Sequence, residues 1–75
     1  MVEKFSVTEV SVLRNELLQG GLDTVQAGQL VQMFLMGRGY GVSPEAAVDA
    51  VGRAGGRGFS LESIATELEK LALVQ

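Results

Sequence analysis

Gly37-Arg38-Gly39-Tyr40-Gly41-Val42-Ser43-Pro44 carries a helix stop and a helix start within eight residues. Gly closes one helix by supplying a left-handed residue. Ser is a strong N-cap, because its hydroxyl accepts an unpaired backbone N–H. Pro at the first helical position has its φ already set for a helix. One helix therefore stops near residue 36 and another starts at Pro44. The same grammar of aromatic, Ser and amphipathic run appears in Phe5-Ser6-Val7 and in Phe59-Ser60-Leu61. Ser6 has Glu9 three residues on, the spacing of a capping box, and Phe5 with Val10 has the spacing of a hydrophobic staple. Phe59 and Ile64 repeat that staple around Ser60. Asp23, with Gln26 three residues on, marks a further start. Gly20-Gly21, Gly37 and Gly55-Gly56 are the expected stops.

These signals predict an all-α, compact four-helix domain of 75 residues with helices at about 7–19, 24–36, 44–54 and 61–73. No stretch alternates with period two, so no sheet is expected. One domain, residues 1–75, is the expected unit. The first helix places Val7, Val10, Leu13, Leu17 and Leu18 on one side. The third is Ala-lined, with Ala46, Ala47, Ala50, Val51 and Ala54 inward, and Asp49 with Arg53 at pairing distance i,i+4. The fourth places Leu61, Ile64, Ala65, Leu68, Leu71 and Ala72 on its inner face.

The second helix differs from the others: it carries no charge from Thr24 to Met36. Ala27, Gly28, Leu30, Val31, Phe34 and Leu35 form one arc. Val25, Met33 and Met36 lie on the opposite arc among Gln26, Gln29 and Gln32. An apolar helix is a central one when neighbours surround it. Alternatively, one arc packs inside and the Met/Gln arc meets another molecule, a use that suits adaptable Met side chains.

Composition excludes several classes of function. The chain has no Cys and no His, which removes disulfides, thiol nucleophiles, and the commonest general base and metal ligand. Glu9, Glu16, Glu45, Glu62, Glu67 and Glu69 read as solvated helix faces or first-turn residues. The chain is accordingly expected not to be an enzyme, with no catalytic residue, no metal and no cofactor. No apolar run reaches the roughly 18 residues of a membrane span. Met1-Val2-Glu3-Lys4-Phe5 lacks the layout of a signal peptide. A cytoplasmic protein without a membrane partner is expected.

Gly37-Arg38-Gly39-Tyr40 recurs as Gly56-Arg57-Gly58-Phe59. Residues 37–58 carry a net charge of +1, and the flanking segments −2 each. Arg38, Arg53 and Arg57, with Tyr40 for stacking, are the candidate contacts to a phosphate or nucleic acid. The simpler reading is that Gly closes a helix, Arg solubilises a loop and the aromatic staples the next helix. A net charge of −3 disfavours nucleic acid, whose binding needs a basic surface.

Gly58-Phe59-Ser60-Leu61-Glu62-Ser63-Ile64 resembles a segment of MerR-type transcription regulators, in the part after their wing, and Arg38 and Tyr40 fall near the spacing that family suggests. The resemblance covers less than half of the chain, and the family's basic winged-helix portion has no counterpart upstream. Gly21-Leu22-Asp23-Thr24-Val25-Gln26-Ala27, with Leu30 and Val31, is similar to the modification motif of acyl and peptidyl carrier proteins. Carriers attach phosphopantetheine to a Ser directly after the Asp, where this chain has Thr24.

The residues together favour a small non-catalytic protein-interaction or regulatory module that self-associates, as a dimer, through its second helix. Val25, Gln29, Met33, Phe34, Leu35 and Met36 are the candidate partner-binding residues. The alternative is a helix-turn-helix-like, transcription-associated domain that contacts DNA or RNA phosphates through the Gly-Arg-Gly loops.

Overall fold

Each expected cap forms. In the computed structural model, which describes residues 5–73, the Ser6 hydroxyl accepts from the Glu9 amide at 3.1 Å, and the Glu9 carboxylate accepts in return from the Ser6 amide at 3.2 Å. Asp23 and Gln26 make the same reciprocal pair at 2.8 and 3.3 Å. Ser43 accepts from the Ala46 amide, ahead of Pro44 in the first turn. Ser60 accepts from the Ser63 amide. These caps start α1 (Val7–Gln19), α2 (Thr24–Met36), α3 (Pro44–Gly56) and α4 (Leu61–Leu73). The architecture is all-α with four helices, and no strand occurs among the described residues.

Three of the four expected ranges coincide with the structure; α3 runs two residues past the expected 54. The reason lies in the turns that follow α2 and α3. The amides of Arg38, Gly39 and Tyr40 bond to the carbonyls of Leu35, Met36 and Leu35. Those of Arg57, Gly58 and Phe59 bond in the same way to Ala54, Gly55 and Ala54. Each repeated tetrapeptide is thus a helix-closing turn with a six-to-one bond from the aromatic amide. The first left-handed residue is its second glycine, Gly39 at φ 89° and Gly58 at φ 74°, not Gly37 or Gly55-Gly56; in the second turn Phe59 follows at φ 52°. After α1 the corresponding residue is Gly21, at φ 60°.

One hydrophobic cluster draws on all four helices. Leu13, Leu35 and Leu68 are its largest fully buried members. α1 contributes Val10, Leu13 and Leu17, whereas Val7 and Leu18, expected on the inner face, are exposed. Leu61 of α4 is likewise more exposed than expected, and Ala47, Ala50, Val51 and Ala54 of α3 are buried. Phe5 closes the end of the cluster against Phe34 and Tyr40, with ring centroids 5.8 and 5.9 Å away.

α2 packs chiefly on α3, and Gly28 sets the closeness of that contact. A Cβ at Gly28 would stand 2.7 Å from Val48 Cγ2, 3.1 Å from the Val48 amide nitrogen and 3.2 Å from Val48 Cα. The absent side chain is what lets the two backbones approach. α3 in turn packs on α4, and α4 on α1. α2 is therefore not surrounded: α3 and α1 cover one side of it and leave the other open.

Candidate interaction surface

At 100° per residue, Ala27, Gly28, Val31 and Leu35 point together toward α3 and the core, and all four are buried. Gln26, Gln29, Gln32, Val25, Met33 and Met36 fall on the opposite arc. Met33 is 69% exposed, Met36 58% and Val25 57%. Gln26 and Gln29 are exposed, and Gln32 is half-buried because its Nε2 donates to the Val42 carbonyl at 2.9 Å. The Met/Gln arc is thus an uncovered strip of neutral side chains along the whole of α2. An isolated exposed apolar residue is ordinary, but three on one charge-free helix face form a patch.

Two of the residues expected on this surface stand elsewhere. Leu35 is 0% exposed and belongs to the core, so it is not available to a partner. At 3.6 residues per turn it lies a full turn from Val31 and about 100° from Met36, the geometry that separates inner from outer faces. Phe34 is half-buried: its ring meets Phe5, and the Arg38 guanidinium lies 3.8 Å above its centroid. Val25, Gln29, Met33 and Met36 are the expected residues that the fold does present together.

The basic candidates do not converge. Arg38 pairs with Glu9 at 2.5 Å and donates to the Phe34 carbonyl at 3.1 Å, which ties the turn after α2 to the start of α1. Arg53 reaches across to Glu67 of α4 at 2.9 Å instead of pairing with Asp49. The Arg57 side chain is exposed and makes no hydrogen bond or ion pair among the described residues; its amide alone is used, in the turn that closes α3. Tyr40 is half-buried against Phe5 rather than open to stack on a base. Phe59 is half-buried over Gly55, whose Cβ would lie 3.2 Å from the ring. Its carbonyl accepts from Arg14 Nε at 2.7 Å, and its φ of 52° makes it, among the described residues, the one non-glycine residue held in the left-handed region.

Two carboxylates depart from the solvated role expected of them. Glu67 is buried, 4% exposed, with Lys70 at 3.7 Å as a second partner beyond Arg53. Three donors hold the Glu9 carboxylate at the start of α1: the Ser6 amide, the Ser6 hydroxyl and Arg38. The hydrogen bond from the Ser6 backbone, and then Arg38, hold its carboxyl below the ordinary glutamate range. The pairing of Glu67 with Arg53 joins residues fourteen apart on different helices, and no local spacing announces it. A polar residue within the otherwise apolar arc Ile64-Leu68-Leu71 was the available signal.

The first turn of α2 explains Asp23-Thr24 by capping alone, since Asp23 Oδ1 accepts from the Gln26 amide. Among the described residues no group of three acidic side chains gathers to hold a metal ion, and no helix is long and apolar enough to cross a membrane. The chain matches no family model, no curated protein and no solved structure.

Proposed function

We propose that this domain works by binding protein rather than by catalysis, and that it associates with itself through the exposed face of α2. The observation that carries the reading is the uncovered charge-free strip Val25, Gln29, Met33 and Met36 on a helix whose other face is anchored in the core. Burying Met and other apolar side chains removes them from water without stranding a charge. The rigid backing matters as well, because α2 is fixed by its caps and by the Gly28 contact and loses little freedom on binding. Of the other exposed apolar residues, Val12 and Leu18 stand on α1, and Val7 and Leu61 line a groove of about 90 Å³ that also contains Glu69; that carboxylate makes the groove a poorer apolar contact. The basic residues favour the nucleic-acid alternative less, since Arg38 and Arg53 are occupied by Glu9 and Glu67 and only Arg57 of the three keeps an unpaired side chain.

Light scattering across a concentration series tests the reading. The mass is expected to rise from 7.9 kDa toward twice that value at high micromolar concentration. A mass that stays at the monomer value throughout would sink self-association.

A further inference from the structure

We propose that a second copy of the chain covers the exposed face of α2 in an antiparallel arrangement, with a two-fold axis between residues 30 and 31. The inference rests on the self-association reading above and adds its geometry. Along α2 the centre line of the face runs Val25, Gln29, Gln32, Met36, with Gln26 and Met33 together at one flank: the line is apolar at either end and amide between. That order is its own mirror. Antiparallel pairing about the proposed axis sets Val25 against Met36 of the partner subunit and Gln29 against Gln32 of the partner subunit. Along this centre line apolar then meets apolar, and amide meets amide. A Gln amide both donates and accepts; Gln32 spends one N–H on the Val42 carbonyl and keeps its oxygen and its second N–H. A two-fold contact requires this kind of self-complementary patch.

Charge selects both the partner and the direction. The chain carries −3, so two copies repel wherever their acidic faces meet. The α2 face allows approach without like charges in contact. Asp23 stands at its N-terminal margin, and at its C-terminal margin Glu9 is neutralised by Arg38. A parallel pair would bring the two Asp23 carboxylates together and align the helix dipoles. The antiparallel pair sets each positive N-terminus beside the partner's negative C-terminus, which is the favourable arrangement. One helix face offers less than the about 800 Å² per partner of a stable interface. The dimer is accordingly weak and forms at high concentration.

The absence of Cys makes disulfide trapping a clean test. Val25→Cys and Met36→Cys alter exposed positions, and circular dichroism checks that each variant keeps its helicity. In the antiparallel pair position 25 faces position 36, whereas two copies of one position lie about 16 Å apart, beyond the about 7 Å that a disulfide spans. An equimolar mixture of the two variants under mild oxidation is expected to give covalent dimer at least tenfold faster than either variant alone. Equal linking of Val25→Cys with itself would overturn the antiparallel geometry. No linking in a sample that scatters as a dimer would overturn this face while leaving self-association standing. A monomeric mass for the untreated chain would overturn both.

Discussion

Replacing Gly28 by Ala probes the contact that holds α2 in place. Inside a helix, Ala is favoured over Gly by about 1 kcal/mol. Against that gain stands a Cβ 2.7 Å from Val48 Cγ2 and within 3.2 Å of the Val48 backbone. A β-branched methyl next to its own main chain has no flexible end to swing away, so α2 and α3 must separate. Overpacking of this kind costs about 1–3 kcal/mol, and the net loss is expected to be about 1 kcal/mol. Gly52→Ala is the matched control. Gly52 lies inside α3, has no neighbour within 4 Å of an added Cβ and is not in the left-handed region. It collects the propensity gain alone and is expected to stabilise by about 0.5–1 kcal/mol. For a domain of this size, 1 kcal/mol moves Tm by roughly 4–8 °C. The two variants should therefore straddle the parent in thermal and urea unfolding followed by circular dichroism. Low micromolar protein keeps association out of the measurement. If Gly28→Ala raises Tm as much as Gly52→Ala does, the close α2–α3 approach is refuted.

Four further outcomes follow from the same geometry. Leu35→Ala removes a fully buried side chain and is expected to cost about 2–5 kcal/mol, a large share of the stability of so small a domain, measurable as a lowered urea midpoint. Arg53→Ala leaves Glu67 buried with only the more distant Lys70; it should destabilise by about 1–2 kcal/mol, and adding Glu67→Met should recover most of the loss. Glu9 has a lowered pKa in the folded chain, so its contribution is complete above the ordinary glutamate value of about 4.3. That contribution fades as pH falls through the lower folded value; Glu9→Gln should flatten this part of the stability–pH curve. Met33→Glu should abolish concentration-dependent association while leaving the unfolding free energy in dilute solution within about 0.5 kcal/mol of the parent, because the side chain is exposed.

The helices were legible because their start signals are local. Ser6 with Glu9, Asp23 with Gln26, and Ser43 with Pro44 each act within four residues of chain. The end of α3 was less legible. Gly55 and Gly56 remain helical because three amides beyond them still find carbonyls in the last turn, and the conformational switch waits for Gly58. The uncharged run of α2 announced an unusual helix, and its 3.6-residue period sorted Met33 and Met36 from Val31. That period also bears on Leu35, whose position beside Val31 places it inside. Phe34 was beyond such reading, since Phe5 and Arg38 reach its ring from elsewhere in the chain. The same holds for Arg53 and Glu67: helical spacing offered Asp49 as a partner, but the packing of α3 on α4 offered a better one.

If the Met/Gln face of α2 is where the molecule meets its partner, that face must respond to concentration. A dilution series of backbone amide spectra by nuclear magnetic resonance tests it most directly. The amides around Val25, Gln29, Gln32, Met33 and Met36 are expected to shift together as concentration rises, while those of the buried α3 residues Ala47 and Ala50 stay in place. Shifts confined to the groove of Val7 and Leu61, or spectra independent of concentration, would contradict it.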